Sequence, residues 1–291
     1  MQYRGRRRRQ TAGGLTAGFM VLIVFLLTII GPACRGGGAP PTGNAANQAG
    51  QAKPNAPDKG DFKVVYLPVE NPEYAELLKE LQNEKTLEQI AAGLNTTIAL
   101  PFDINITFAE CGSVNAFYDP EKRQISVCFE LLEHFSEIFA EDAKSEDDVG
   151  DAVIGATIFV FFHELGHALI NVLDIPVTGK EEDAVDQLST FVLTDGTDEG
   201  EKAVLDGARW FILEEQQQDK ALEDLAFWDE HSLNQQRFYN LVCWVYGQNA
   251  GKYQNLVNDG ILPEERAGRC EGEYQQLAKS WSTLLAPHLK K

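Results

Sequence analysis

The spacing of apolar and polar positions changes along the chain and predicts its secondary structure. Alternation over residues 62–69 predicts a short strand, and apolar residues at helical spacing over 73–94 predict a helix. Residues 98–133 have a β-like pattern with a hairpin turn at 119–122. Helical periodicity then dominates and predicts helices over 151–173, 180–193, 201–218 and 233–246. Strands early and helices late indicate an α+β fold, a mainly helical domain with a small N-terminal sheet or hairpin.

The N-terminus has the pattern of an export or membrane-anchoring segment. Arginines at positions 4 and 6–9 precede an uncharged apolar run over residues 15–33. Such a run behind basic residues directs the chain that follows across a membrane. An uncleaved anchor, a cleaved secretory signal and a lipoprotein signal with Cys34 as the lipidated residue remain open. We expect residues 1–34 to attach the protein to a membrane. The rest of the chain is then expected outside the cytoplasm, either in the periplasm or at the cell surface.

The segment that follows has the composition of a linker. Residues 35–61 are rich in Gly, Ala, Pro, Asn and Gln and contain no large apolar side chain. Such a stretch cannot bury enough surface to offset the entropy lost on ordering, so a disordered linker is predicted. No internal repeat divides the rest of the chain, and residues 62–291 are predicted to form one domain.

The charge of the chain limits the partners that are expected. The chain has 25 basic and 44 acidic residues, but six arginines and no acid lie among the first 35 residues. Residues 36–291 therefore carry a net charge of −25, from 19 basic and 44 acidic residues. A surface this acidic repels phosphate backbones, so no nucleic-acid partner is expected.

The cysteines suit an oxidising compartment, where disulfides persist. Cys111 and Cys128 flank the predicted hairpin at nearly opposite positions, and Cys243 on the last predicted helix has Cys270 in the loop that follows. Other pairings remain open, because four cysteines allow three connectivities. Cys34 is then left over, which agrees with a lipoprotein signal.

The strongest chemical signal is the string HELGH at residues 163–167. Residues four apart share one face of a helix, so His163 and His167 can offer two imidazoles to one Zn²⁺ ion. Glu164, beside them, is placed to take the proton of a zinc-bound water. The upstream segment AVIGATIFVFF predicts a buried core helix. A core helix has little reason to carry these polar side chains unless a ligand satisfies them.

A catalytic zinc site needs a third protein ligand and one open position. Glu182 lies 19 residues beyond His163 on the next predicted helix and is our candidate. Asp186, one turn later, can accept the second N–H of a ligand histidine and fix its tautomer. Glu181 fits the apolar stripe of that helix better and remains an alternative ligand. An acidic first turn favoured by the helix dipole is the plainer explanation of both glutamates.

These motifs resemble the gluzincin metallopeptidases, in which a His-Glu-x-x-His helix is followed by Glu-x-x-x-Asp. The strings NAFYDP, HELGHAL, EEDAVDQL and DEHSLNQQRFYNLVCWVYG occur in this order. In that order they resemble a bacterial metallopeptidase family, first described as a domain of unknown function, over about residues 62–291. The resemblance implies a zincin-like fold in which His163, His167 and Glu182 bind zinc. It also implies that Glu164 is the base and that Asp186 supports a ligand histidine.

The resemblance further implies a substrate-binding strand upstream of the metal helix. Asn115, Ala116 and Phe117 correspond to the edge strand on which such enzymes hold the substrate backbone. An exposed edge offers unpaired N–H and C=O groups to an extended peptide. An ordinary hairpin strand remains the alternative.

The segment around His231 has no metal-binding spacing and leaves its role open. His231 is a candidate catalytic residue that donates a hydrogen bond to the oxyanion of a tetrahedral intermediate. Arg237 and Tyr239 are alternatives for that role, and a helix cap with a surface histidine is the other interpretation. His134 and His288 have no partner at such spacing, so no role is expected for them.

Together these patterns predict a membrane-attached, extracytoplasmic, zinc-dependent metallopeptidase of gluzincin type acting on a peptide or protein substrate. Peptide bonds would be hydrolysed through a zinc-bound water that Glu164 activates. One alternative is a catalytically silent zinc-binding lipoprotein that acts as a binding or scaffolding module. Another is a latent protease that a partner opens. A structural zinc site is normally closed by four protein ligands, which separates the silent protein from an enzyme.

Overall fold

The structure is a computed structural model that describes residues 57–194, 196–217 and 227–290. The predicted signal or anchor segment 1–34, which includes Cys34, lies outside the described residues, as does most of the predicted linker 35–61. The described residues are mostly helical with a small mixed sheet, which confirms the α+β prediction.

Four strands and nine helices can be delimited among the residues that the structure describes. The strands are β1 (Phe62–Val64), β2 (Ile104–Ala109), β3 (Ala116–Asp119) and β4 (Gln124–Cys128). The helices are α1 (Pro72–Glu84), α2 (Thr86–Thr97), α3 (Phe129–Phe139), α4 (Glu146–Leu173), α5 (Glu181–Leu193), α6 (Asp198–Gln217), α7 (Asn234–Gln248), α8 (Gln254–Asn258) and α9 (Glu264–Leu285).

The sheet has the strand order β1-β2-β4-β3, so β3 lies at one edge. Strands β1, β2 and β4 run parallel, and β3 pairs with β4 in antiparallel register. The hairpin predicted around 119–122 is therefore confirmed. The Asp119 carboxylate accepts from the backbone N–H groups of Glu121 and Lys122, which stabilises this turn.

Helix α4 is the centre of the domain and has 28 residues. Its N-cap Ser145 accepts a hydrogen bond from the Asp148 N–H, and its C-cap Asp174 adopts a left-handed conformation. It is long and apolar enough to span a membrane, but 94% of its most apolar window is buried inside the fold. Helices α3, α5 and α6 pack around it together with β3 and β4, which confirms the predicted buried core helix.

Three predictions of secondary structure are wrong. The helix predicted over 73–94 is two helices, because Lys85 adopts a left-handed conformation with φ of 55° between α1 and α2. The β-like pattern over 98–133 ends at Cys128, where α3 begins. Cys270 lies on the helix α9 and not in a loop.

The structure contains the two disulfides suggested by sequence position. Cys111 is bonded to Cys128 and Cys243 to Cys270. The first joins the loop before β3 to the end of β4, and the second joins α7 to α9. Both therefore tie segments around one continuous hydrophobic core.

Candidate metal centre

The two histidines of the HELGH string lie side by side on α4, with ring centroids 5.1 Å apart. His163 and Glu164 are buried, at 6% and 7% exposure, and His167 is partly exposed. Gly166 lies between the two histidines along α4. It allows α5 to approach, because a Cβ at this position would lie 2.7 Å from Cγ1 of Val185. The glycine therefore brings the first turn of α5 close to both histidines.

Glu182 on that first turn lies between the two histidines. His163 Nε2 is 3.1 Å from Glu182 Oε2, and His167 Nε2 is 3.4 Å from Glu182 Oε1. One donor atom from each residue lies within 4.8 Å of the other two. A tetrahedral ion at about 2.05 Å from its ligands places neighbouring ligand atoms about 3.3 Å apart. Two imidazoles and one carboxylate at this spacing fit a Zn²⁺ ion.

Glu181 occupies a different place from Glu182. Its carboxylate lies 2.8 Å from His167 Nδ1, on the side of the ring away from Glu182, and its side chain is half exposed. This contact can orient the His167 ring, as carboxylates do for metal-binding histidines. The geometry therefore favours Glu182 as the third ligand.

Asp186 and Arg237 form a buried support behind His163. Asp186 Oδ1 accepts from His163 Nδ1 at 2.8 Å, which leaves Nε2 directed at Glu182. Arg237 on α7 donates two hydrogen bonds of 2.8 Å to the same carboxylate and stacks 4.0 Å from the Phe211 ring centroid. Burial acts to raise the pKa of Asp186, but the Arg237 charge and the His163 contact hold it well below its usual range.

His231 lies beside the metal-ligand cluster, just before α7. Its Nε2 is 3.0 Å from Glu182 Oε2, and its Nδ1 is 3.0 Å from Asp229 Oδ1. Lys180 donates to the backbone carbonyls of Asp229 and His231, which joins this segment to the start of α5. The ring of His231 thus contacts a proposed metal ligand, and its oxyanion role stays a prediction.

The edge strand β3 lies beside the metal helix. Asn115 C=O accepts from Cys128 N–H, so the backbone groups of residues 115, 117 and 119 face β4. Those of Ala116 and Tyr118 face away from the sheet. The Tyr118 N–H donates to the Glu164 carboxylate, and its hydroxyl donates to Asn171 on α4. Asn115 and Ala116 line the cavity at the site. The backbone N–H and C=O groups of Phe117 instead face β4.

Glu164 has the environment of a proton carrier. Burial is the main cause that raises the pKa of its carboxyl, and the neighbouring Glu182 charge acts in the same direction. The two histidines and the Tyr118 N–H oppose this effect without reversing it. A carboxyl with a raised pKa holds a transferred proton more readily at neutral pH.

A cavity of about 320 Å³ opens onto the site. Its walls include His163, Glu164 and His231 from the metal centre and Asn115 and Ala116 from the edge strand. Its remaining walls come from α3, α4, α6 and α7 and include Leu131, His134, Phe159, Val160, Trp210 and Glu214. The metal centre therefore faces a partly open cleft large enough for part of a peptide.

A second group of possible ligands does not form a metal site. Cys111, Cys128 and Glu130 also come together among the described residues, but the two sulfurs form a disulfide. The Glu130 carboxylate instead accepts hydrogen bonds from the backbone N–H groups of Cys111 and Gly112. This cluster holds the loop that leads into β3.

Sequence reasoning missed the contacts of three residues. The bidentate contact of Arg237 with Asp186 was not foreseen, because the polar residues 234–236 directly before it are typical of an exposed position. The contact of the Tyr118 backbone with Glu164 left no signal in the sequence. His134, expected to have no role, lies 2.8 Å from Glu214 and lines the cavity. This contact could not be foreseen, because the partner is 80 residues away along the chain, and the contact alone assigns no role to His134.

The comparisons with known proteins agree with this chemistry at the level of the family. Residues 66–285 match the model of a family described as "Putative metallopeptidase". No curated protein and no solved structure matches the chain. The gluzincin type therefore stays a prediction. The family match covers well over half of the chain and spans all the site residues described above, so the chain belongs to this metallopeptidase family.

Proposed function

We propose that this protein is a zinc-dependent peptidase, attached to a membrane and exposed outside the cytoplasm. The observation that carries the enzymatic part is the convergence of His163, His167 and Glu182 beside the buried carboxylate of Glu164. Nitrogen and carboxylate donors in this number are typical of a catalytic zinc site that keeps one position open. When bound, zinc supplies Lewis acidity that polarises a carbonyl group and lowers the pKa of water.

Glu164 carries the proton in the proposed reaction. Its carboxylate accepts a proton from the attacking water and delivers it to the leaving amine of the cleaved peptide. Its raised pKa supports the second transfer, because the carboxyl retains the proton until the amine departs. The Tyr118 N–H holds the carboxylate at the wall of the cavity.

The substrate backbone binds along β3 in this proposal. Ala116 presents its N–H and C=O away from the sheet, so an extended peptide can add as a further strand. Asn115 and Phe117 flank this position, and Asn115 lines the cavity with Ala116. The scissile bond would then lie beside Ala116, next to the Glu164 carboxylate that the Tyr118 N–H holds at the same edge.

His231 is the proposed partner of the oxyanion, as its place on the cavity wall allows. Its ring is oriented by Asp229 at Nδ1, which leaves Nε2 to donate towards the metal side. Arg237 also lines the cavity, but its guanidinium already donates to Asp186. His231 Nε2 also contacts Glu182, but the His231 side chain is 43% exposed and that of Arg237 only 10%, so His231 is the donor that a substrate reaches more easily.

The decisive experiment compares the zinc-loaded full-length chain with its Glu164→Gln variant on a mixed peptide library scored by mass spectrometry. Cuts made only by the wild-type protein are expected, with a loss of about 10²- to 10⁴-fold in the variant. Both proteins should bind one zinc ion, because Glu164 is not a ligand in this proposal. Equal cutting by the two proteins would contradict the mechanism.

A second candidate function is a silent zinc-binding scaffold. The observation that favours it is His231, whose Nε2 lies 3.0 Å from Glu182 and offers a fourth donor beside the site. Four protein ligands would close the site and make the zinc structural. Cobalt substitution separates the two functions. A catalytic site changes its visible spectrum when azide is added, and a closed site does not.

The membrane attachment and location are proposed from residues 1–34 alone. A phosphatase that is active only outside the cytoplasm, fused after Lys291, should be active and should sediment with membranes. Cys34→Ala tests the mode of attachment. Loss of incorporated fatty acid together with release from membranes would indicate a lipoprotein, and unchanged sedimentation would indicate an uncleaved anchor.

A further inference from the structure

The cavity at the metal centre also contains a histidine–glutamate pair that the proposed chemistry does not use. His134 Nε2 on α3 lies 2.8 Å from Glu214 Oε2 on α6, and both residues line the cavity. The side chains of His134 and Glu214 are 24% and 23% exposed to solvent, so a ligand can reach them. The pair therefore belongs to the wall that a bound substrate would meet.

The wall beside His134 carries the carboxylate of Glu214. A carboxylate has two oxygens that can accept several hydrogen bonds, so Glu214 can receive a cationic donor beside His134. The basic residue Arg237 also lines the cavity, but its guanidinium is buried and bound to Asp186. Glu164 adds a further carboxylate to the wall. A cationic group that enters this space can therefore pair with Glu214.

The walls beside Glu214 are apolar. Leu131 of α3, Phe159 of α4 and Trp210 of α6 line the same cavity. Trp210 precedes Glu214 by four residues, so both side chains lie on one face of α6. An apolar wall with a carboxylate on it matches the side chains of lysine and arginine, which combine an apolar stem with a charged head.

We propose that this cavity is a specificity pocket for a basic side chain next to the scissile bond, with Glu214 as the residue that selects lysine or arginine. The inference rests on the proposed peptidase function and names its substrate class. The stem of the side chain packs against Trp210, and its cationic head pairs with Glu214. His134 is the positioning residue that holds the carboxylate.

Binding tests the pocket without requiring cleavage. The zinc-loaded full-length Glu164→Gln variant is titrated by calorimetry with two blocked pentapeptides that differ only in a central arginine or its neutral isostere citrulline. The arginine peptide should bind about 10- to 100-fold more tightly, as a charge-assisted hydrogen bond allows. Adding Glu214→Gln should remove this difference. Glu215→Gln, the same change on the next residue, should keep it because Glu215 does not line the cavity.

Cleavage by the wild-type protein provides the second measurement. Lysine or arginine should be enriched at one fixed position relative to the cuts in a mixed library. Cleavage without this preference would overturn the pocket while leaving the peptidase function intact. Charge-selective binding that depends on Glu214, with no cleavage at all, would support the pocket and overturn the peptidase function. Equal binding of the arginine and citrulline peptides would overturn the proposed pocket. This comparison does not require a variant of Glu214.

Discussion

Asp186 is the residue on which the geometry of the metal centre depends most. It accepts from His163 Nδ1 and receives two hydrogen bonds from Arg237. We predict that Asp186→Asn lowers zinc affinity about 10- to 100-fold, because the tautomer and orientation of His163 are no longer fixed. Competition with a chromophoric chelator measures this affinity.

The matched control is Asp183→Asn, which removes the same charge from the first turn of α5. Asp183 accepts from the Ser232 hydroxyl and makes no contact with either histidine of the motif. Its zinc affinity should stay within about twofold of the wild-type value, since surface contacts of this kind contribute little. An equal loss in both variants would mean that the net charge of the helix start, and not the contact to His163, governs metal binding.

Asp206 should make the stability of the fold depend on pH. Burial raises the pKa of this carboxyl to about 6, although Lys202 at 2.7 Å acts against it. The folded protein therefore binds the proton more tightly than the unfolded chain, and this contribution to stability is lost as the pH rises through 6. The advantage of Asp206→Asn over the wild-type protein in unfolding free energy should grow by about 2–3 kcal/mol from pH 4 to pH 7.

Urea unfolding at several pH values tests this prediction. The exposed Asp147 on the first turn of α4 provides the control, and the difference between Asp147→Asn and the wild-type protein should not change in this way. A constant difference between Asp206→Asn and the wild-type protein across the range would show that the carboxyl titrates at an ordinary pKa.

At the residue scale, sequence alone identifies the groups that depend on local spacing. His163, Glu164 and His167 follow from one helical turn, and Glu182 with Asp186 from the next helix. The sequence does not decide whether Glu181 or Glu182 is the third ligand. Which of two neighbouring side chains faces the histidines depends on how helix α5 packs against α4. Contacts between distant segments, such as His134 with Glu214, depend on packing that no short pattern encodes.

Gly166 sets the distance between the two helices that form the metal centre. A Cβ at this position would lie 2.8 Å from Cβ of Val185, closer than side chains tolerate. Gly166→Ala should therefore displace α5, reduce zinc affinity and lower the unfolding free energy by about 1–3 kcal/mol. Chelator competition and urea unfolding measure the two effects.

Gly150 on the same helix is the control, since a Cβ there would meet nothing within 4 Å. Gly150→Ala should leave zinc affinity unchanged and increase stability by up to about 1 kcal/mol, because alanine favours the helix. Val185→Gly combined with Gly166→Ala should restore part of the lost zinc affinity, because it removes the side chain that the new Cβ would meet. A harmless Gly166→Ala would mean that the helices do not need this close approach.

At the element scale, periodicity predicts the long helices and the hairpin but not their limits. Helix α3 was missed because QISVCFELL continues the apolar pattern of β4 past its last strand residue. The break at Lys85 has no proline or glycine to signal it. In both cases tertiary contacts decide which of two compatible patterns is adopted.

Removing the metal should leave the whole molecule folded. The described residues share one hydrophobic core, and two disulfides join its outer segments. We predict that chelation abolishes peptide cleavage, retains the far-ultraviolet circular dichroism spectrum and is reversed by added zinc. Unfolding on chelation, as small zinc-dependent domains show, would contradict this prediction.

For the whole molecule, the pattern of apolar positions predicted the class of fold and the composition gave the sign of the charge, but neither predicted the shape of the cleft. The cavity is built from β3 and four helices that are separated by up to about half of the chain. Its lining therefore depends on topology, which the sequence pattern restricts without determining. Membrane attachment remains a prediction from the first 34 residues.

The three imidazoles around Glu182 have a consequence for how the protein matures. His163, His167 and His231 lie within 3.4 Å of that carboxylate, so ion pairs of the chain itself hold the ligands together. Folding can then finish before any metal arrives. In the extracytoplasmic location proposed above, we expect the zinc supply of that compartment to set the fraction of active molecules.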